Sequence, residues 1–417
     1  MARIRGRMTV TESHLWRLPI ERTHHLAGTA GPLTFIGGVG DFDSSGRIRN
    51  PRNLEKQIDG AMADLAAALD VESCTLDDVV RLKAFIPADA DEWTVIAGLA
   101  RHIKSDPLPA ISTVTETLQP WPGQAIQVQA IAERGWRKHP GVRAVARPIP
   151  PSKQSLFGGR ALTAGLRAGE FIALSNLAAT DATGAIAKPG DGIAQSTAIM
   201  AMLGETLEGL GASFQDCVKM EGYYLGTTME QWAGMAAARA RSFREPGPVA
   251  TVVPAKRLSP EGAVTKIEVM AMREEWNGFD KYIPREDHWP KHVWDWPIPV
   301  PYRQAIRLRG MIWLGGQVPF EPGSNGGRWK FPGDLRAQTR VTMGYIQDLL
   351  RPFGRGLADV KLLVCYYTSD GTPAVTEAFI ETLAECTGGA LPPMTLVAKE
   401  MMHTEENSVE IWGIAQG

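Results

Sequence analysis

No sign of charge dominates this chain. Its 417 residues carry 44 Lys+Arg against 46 Asp+Glu, a formal net charge of −2. That excludes a polybasic protein held to nucleic acid by phosphate neutralisation. Long apolar runs are missing as well: nothing reaches the roughly 18 consecutive apolar residues of a membrane-spanning helix, so no membrane partner is expected. The amino-terminal stretch MARIRGRMTVTESHLWRLP is basic but has no apolar core, so no secretory leader is expected. Cysteine is scarce. Cys74, Cys217, Cys365 and Cys386 are too few for a disulfide scaffold and form no C-x-x-C pair, which argues against structural zinc. These absences together predict a soluble, reduced, cytoplasmic protein. Catalytic signatures are also lacking. There is no G-x-S-x-G nucleophile elbow. The glycine-rich stretches GSNGGRW (323–329) and TAGLRAG (163–169) lack the lysine of a phosphate-cradling loop, so they read as turns. His288 and His292 lie four apart, but Pro290 between them breaks the helix that would align them on a metal. No metal site and no phosphate-cradling loop is expected from these motifs.

What the chain has in abundance is itself. At about 150 residues per domain, its length predicts two to three domains, and one order of features occurs three times. An apolar strand ends in a small-residue step: FIGGVGDFD (35–43), FIALSNLAATD (171–181), IWLGGQVPFEP (312–322). A helix follows with a glutamine in its first turns, at Gln57, Gln195 and Gln338. A strand comes next (DDVVRLKAFI, QDCVKMEGYYL, ADVKLLVCYY), then a proline-led strand and a closing strand that ends in Ala132, Ala271 or Ala415. Gly37, Ser175 and Gly315 are 138 and 140 residues apart, and the glutamines 138 and 143. Pro109, Pro248 and Pro392 are 139 and 144 apart, as are the three alanines. Four anchors in register predict three tandem copies.

Each copy reads strand–strand, helix, strand, helix, strand–strand. Leu54, Ile58, Ala61, Met62, Leu65 and Leu69 keep helical spacing, so one stripe of that helix lies on a sheet. One helical layer leaves the other sheet face uncovered, and three such sheets can cover one another around a common axis. The expected units span 12–135, 150–275 and 276–417. The linker at 134–154 is rich in Pro and Arg. The second, REEWNGFDKYIPREDHWPKHVWDWPIPVP (273–301), holds Trp276, Trp289, Trp294 and Trp296. Those tryptophans either pack over an interface or form a lid over a ligand cleft.

The copies resemble the RidA/YjgF family of small trimeric deaminases. The third shows it best: Pro301-Tyr302-Arg303-Gln304-Ala305 is similar to the family's P-Y-S-Q-A, Gly316-Gln317-Val318-Pro319 to its S-G-Q-I-P, and Ser408-Val409-Glu410-Ile411 with Gly413-Ile414-Ala415 to its closing V-E-I-x-x-I-A. The resemblance implies an α+β, chorismate-mutase-like fold in three tandem domains. They would form a monomeric pseudo-trimer with a β-barrel-like core and clefts at the seams, with further dimerisation left open. It implies hydrolysis of imines or enamines to ketones and ammonia without a cofactor, on a small-molecule substrate.

The family's carboxylate-binding arginine in P-A-R-S falls on Ile111, Ala250 and Met394, so no copy keeps it. A substrate without a free carboxylate is therefore expected, or one bound by other donors such as Lys83 or Arg257. The family's catalytic glutamate falls on Glu268, with Gln129 and Trp412 in the other copies; its tyrosine on Tyr302, with His24 and Leu162; its serine on Ser175, with Gly37 and Gly315. The expected catalytic set is thus Glu268, Tyr302 and His24, and the substrate-binding set Ser175, Lys83, Glu221 and Arg257. Glu268 shares a strand face with Lys266, and a histidine near a pKa of about 6.5 can exchange protons at neutral pH. Lys83 and Glu221 hold one equivalent strand position, with Val364 in the third copy, which also suits ion pairing between copies. The alternatives are a non-catalytic binding or assembly protein on the same fold, or another cleft reaction such as cyclisation or ring opening.

Overall fold

The structure, a computed structural model, describes residues 16–20, 22–226, 228–276 and 279–417. The expected start of the first unit at residue 12 and the side chain of Trp276 lie outside the described residues. One element order, ββαβαββ, occurs three times. The first run is β1 (Ala27–Ala30), β2 (Leu33–Val39), α1 (Leu54–Val71), β3 (Val79–Pro87), α2 (Glu92–Ala100), β4 (Ala110–Glu116) and β5 (Gln127–Glu133). After β6 (Arg143–Arg147) the second is β7 (Leu162–Ala168), β8 (Phe171–Leu174), α3 (Gly192–Gly209), β9 (Cys217–Tyr224), α4 (Met229–Ala240), β10 (Val249–Pro254) and β11 (Thr265–Trp276). After β12 (Phe279–Tyr282) and β13 (Glu286–His288) the third is β14 (Ala305–Leu308), β15 (Met311–Leu314), α5 (Leu335–Leu350), β16 (Val360–Thr368), α6 (Pro373–Thr387), β17 (Met394–Lys399) and β18 (Val409–Gln416).

The glutamines that marked the repeat have a structural task. Asn53, Asp191 and Asp334 cap α1, α3 and α5 by accepting from the backbone N–H three residues on. One turn in, the Gln57 amide donates to Asn50 O and Gly123 O and accepts from Ala125 N. Gln195 does the same with Lys188 O, Gly262 O and Val264 N. Gln338 does so with Lys330 O, Phe331 O, Glu406 O and Ser408 N. Each amide ties the loop before a helix to the loop before a closing strand, satisfying buried backbone groups that water cannot reach.

The first two runs share one 12-stranded sheet, in which β4 meets β7 in parallel at Ala110 and Thr163. The third forms a six-stranded sheet. Parallel bridges also join Val249 to Arg303 and Leu391 to His24. Each run therefore touches the next, and the third touches the first. One apolar cluster draws on all three, including Phe35, Phe171 and Trp313, with Trp313 packed edge-on against Phe35 and stacked on Phe171. The helices cover the opposite sheet faces, with Ile58, Ala61, Met62, Leu65 and Leu69 of α1 fully buried or nearly so.

The linkers are more structured than tethers. β6 pairs antiparallel with β7. β11 continues five residues past Ala271 because β12 folds back on it, from Arg273 opposite Tyr282 to Trp276 opposite Phe279. Among the described residues no helix is long and apolar enough to cross a membrane.

Glu133, at the end of β5, keeps a buried carboxylate oxygen with no hydrogen-bond partner among the described residues. Burial, with Glu170 nearby, pushes its carboxyl up to about 7. A carboxyl raised on folding stabilises the fold below its unfolded range and loses that contribution as pH rises through the folded value. Glu133→Gln is therefore expected to melt above wild type at about pH 8 and together with it near pH 4. Thermal scans showing no difference at the higher pH would refute this.

Candidate functional site

Seven side chains were expected to form the site, and the structure brings only some of them together. Arg81 and Lys83 of β3 face Glu221 of β9 and Glu268 of β11 in a ring of four charges, all about 1% exposed. The Arg81 guanidinium is 2.8 Å from Glu221 and 2.9 Å from Glu268; Lys83 Nζ is 2.8 Å and 2.6 Å from the same two. Ser112 Oγ donates to Glu268 at 2.7 Å, and Gln129 accepts from Arg81. Burial opposes ionisation of Glu268, but Arg81 and Lys83 outweigh it and hold the carboxyl at about 2. A carboxylate so low makes a poor proton acceptor near neutrality, and Glu268 lines none of the cavities described here. Lys83 and Glu221 are spent on the same ring, so their placement favours ion pairing over substrate contact.

The others lie apart. Ser175 Oγ donates to Thr163 O and accepts from Ile111 N, a joint between the first two runs rather than an open hydroxyl. His24 is buried. Its Nε2 accepts from Leu18 N, its Nδ1 bonds Arg22 O, and burial lowers its pKa, which keeps it neutral and structural. Arg257 sits on an open depression beside Glu116 and Trp121, its carbonyl bound by Thr115. Tyr302 is buried against Trp296, Phe243 and Met220, and burial raises its hydroxyl to about 12.

The seams themselves show what the sequence left hidden. Five residues before each closing alanine stand Gln127, Lys266 and Glu410, two places along the same strand face from Gln129, Glu268 and Trp412. At the third-to-first seam, Gln127 donates to Leu396 O at 2.6 Å and accepts from Leu396 N at 3.2 Å, so both ends of its amide are tied to one strand. At the first-to-second seam, Lys266 pairs with Glu92 at 2.8 Å.

At the second-to-third seam, Glu410 pairs with His403 Nε2 at 2.7 Å, and His403 Nδ1 meets the Tyr224 hydroxyl at 3.1 Å. With the Nε2 proton directed at Glu410, Nδ1 accepts from Tyr224. The two rings stack, with centroids 6.2 Å apart. Gly316 makes room for this carboxylate: a Cβ there would lie 2.0 Å from Glu410 Oε1. Glu410 and His403 line a cavity of about 40 Å³ together with the aromatic side chains of Trp232, Trp294, Trp296 and Phe320 and aliphatic ones such as Val252 and Val318. Trp294 is fixed by donating to Gln317 Oε1 and packs against Trp296 and Phe320. The tryptophan-rich linker thus covers this seam. On α4, seven residues beyond Trp232, lies Arg239, 1% exposed and beside Tyr302, with Nε and Nη1 unpartnered among the described residues.

The sequence family described as Endoribonuclease L-PSP matches residues 160–273. A RutC family protein of Sulfurisphaera tokodaii is 34% identical over 67 residues, 16% of this chain and 51% of that protein, so the match spans about half of that relative's length. Protein mmf2, mitochondrial, of Schizosaccharomyces pombe is 30% identical over 118 residues, 28% of this chain and 86% of that protein. The chain belongs to the RidA/YjgF family. Over a longer span the likeness is one of fold. A solved chorismatase aligns with a TM-score of 0.53 at 15% identity, covering 81% of this chain and 93% of that one. Glu410 lines the cavity beside Trp294, whereas Glu268 is enclosed in the ring of four charges.

Proposed function

We propose that the three runs are domains closed into an intrachain pseudo-trimer, and that the seam between the second and third is the working cleft. The reaction there is hydrolysis of the C=N bond of a small imine or enamine. The three parallel bridges, one per seam, and the shared apolar cluster support the ring. The observation that carries the reaction is the Tyr224–His403–Glu410 chain, whose His403 and Glu410 open onto a largely apolar cavity.

Imine hydrolysis needs a base for water and an acid for nitrogen. Glu410 takes a proton as water adds to the imine carbon. Glu410, held by the His403 Nε2–H, delivers that proton to the nitrogen of the tetrahedral adduct and then carries the adduct's hydroxyl proton to the same nitrogen, so ammonia leaves as the carbonyl forms. Imine and water become ketone and ammonia, a balance that asks for no oxidant or cofactor. Arg239 supplies what Ala250 lacks. Arg239 is outside the cavity lining and faces the Tyr302 hydroxyl; a guanidinium buried without an anion is costly, and a substrate carboxylate brought beside Tyr302 would relieve it.

A 40 Å³ cavity has room for about one water, so the Trp294–Trp296 segment must move to admit substrate. The closed cavity equally suits a second reading, a ligand-binding protein without turnover. Ammonia release from imines generated in situ from amino acids tests both. Turnover above the uncatalysed rate is expected, whereas tight ligand binding with no ammonia would select the second.

A further inference from the structure

The seam between the first and second runs encloses a larger cavity, about 250 Å³, that the reaction above leaves unused. Its charged wall is built from three separate elements: Glu92 at the start of α2, Lys266 on β11, and Arg147 on the linker strand β6. Lys266 Nζ and Thr113 Oγ1 both donate to Glu92 Oε2, at 2.8 and 2.9 Å. Among the described residues nothing donates to Glu92 Oε1. Burial resists ionisation of Glu92, but Lys266 and Arg147 outweigh it and keep the carboxyl below its usual range.

Glu92 and Lys266 therefore neutralise each other, and Arg147 is left over. Its guanidinium lies 4.9 Å from the Trp93 ring centroid, and no hydrogen bond or ion pair reaches it among the described residues. Asp181 at the rim is exposed, and its Oδ1 is taken by Thr183 and Ala185. The lining thus carries two cations and two carboxylates, with Asp181 at the exposed rim; inside, Arg147 is the cation without a hydrogen-bonded partner, Glu92 keeps a spare oxygen, and Trp93, Pro150 and Pro260 give apolar walls.

We propose that this cavity is a second ligand site. It binds a flat, singly charged carboxylate that also carries an N–H or O–H donor. The carboxylate lies on Arg147, whose planar fork suits it. The donor reaches Glu92 Oε1, and the body of the ligand rests on the apolar walls. None of these residues belongs to the Tyr224–His403–Glu410 chain, so the two sites stand or fall separately.

Calorimetric titration of the full chain with 4-aminobenzoate, benzoate and aniline tests this. One equivalent of 4-aminobenzoate is expected to bind, benzoate more weakly and aniline not at all. Arg147→Ala should weaken 4-aminobenzoate by about tenfold or more, with Arg147→Lys between. Arg147 makes no hydrogen bond through its side chain, so both variants should stay folded, with Arg147→Lys keeping the charge near Glu92. The ratio of 4-aminobenzoate to benzoate affinity should collapse in Glu92→Gln, a readout that a simple loss of stability would not move. Glu410→Gln should leave all of this binding unchanged. No binding of 4-aminobenzoate to wild type at millimolar concentration, or unchanged affinity in Arg147→Ala, overturns the proposal. So does binding lost in Glu410→Gln but kept in Arg147→Ala.

Discussion

Glu410→Gln is expected to lower the rate of ammonia release by about 10²- to 10⁴-fold, the range for losing a positioned proton acceptor. The substitution keeps the shape of the side chain and its contact with His403, so folding should be unchanged and the loss should appear in kcat rather than KM. His403→Ala should lose a similar amount. The double variant should lose little more than either single one, because the two groups act as a unit. Arg239→Ala should behave differently, raising KM for substrates with a carboxylate and leaving neutral imines largely unaffected. Wild-type turnover by Glu410→Gln would move the chemistry away from this seam altogether.

The largest expected effect on stability comes from the ring of four charges. Glu268→Ala leaves Arg81 and Lys83 facing Glu221 alone, with one buried positive charge in excess, and removing one partner of a buried pair costs about 3–5 kcal/mol. The acid limb of the stability curve should change with it. Glu268 is held near 2 in the fold against an ordinary 4.5. Its contribution is therefore full above the ordinary range and lost as pH falls toward 2. Glu268→Ala should be much less stable than wild type at neutral pH, and the gap should narrow in acid. Replacing all four charges with apolar residues of similar volume should cost far less than the single substitution, since both charge and counter-charge are then gone. Denaturant unfolding across pH checks each point; a loss under about 1 kcal/mol for Glu268→Ala would mean the ring is solvated and contributes little.

Much of the fold was legible because the signals were local or periodic. Helical stripes, the small-residue step and the glutamine after each cap are set by nearby backbone geometry, and the same needs arise in every run. The site was less legible, for reasons visible in single residues. Alternation puts Glu268 and Lys266 on one strand face, but it does not tell which of two successive positions enters the ring of charges and which reaches a seam. Glu268 is equivalent to Trp412, and Glu410 to Lys266, two places along the same face. His403 lies in the loop after β17, where no period marks it. Arg239 reads in the sequence as one more charge on a helix. Only the neighbouring Tyr302, which begins the next run, shows that it is buried. The linker strands β6 and β12 were hidden because a strand at a sheet edge needs a partner that the local sequence does not contain.

Both walls of the Tyr224–His403–Glu410 cleft hang on one polypeptide, Tyr224 and Trp232 on one side and His403 and Glu410 on the other. Assemblies of separate subunits lose such a cleft on dilution, because the neighbour departs. Here the opposing wall is tethered at a fixed effective concentration that no dilution lowers. The specific rate of a seam reaction in this chain should hold down to the scarcest copy number at which it can be measured.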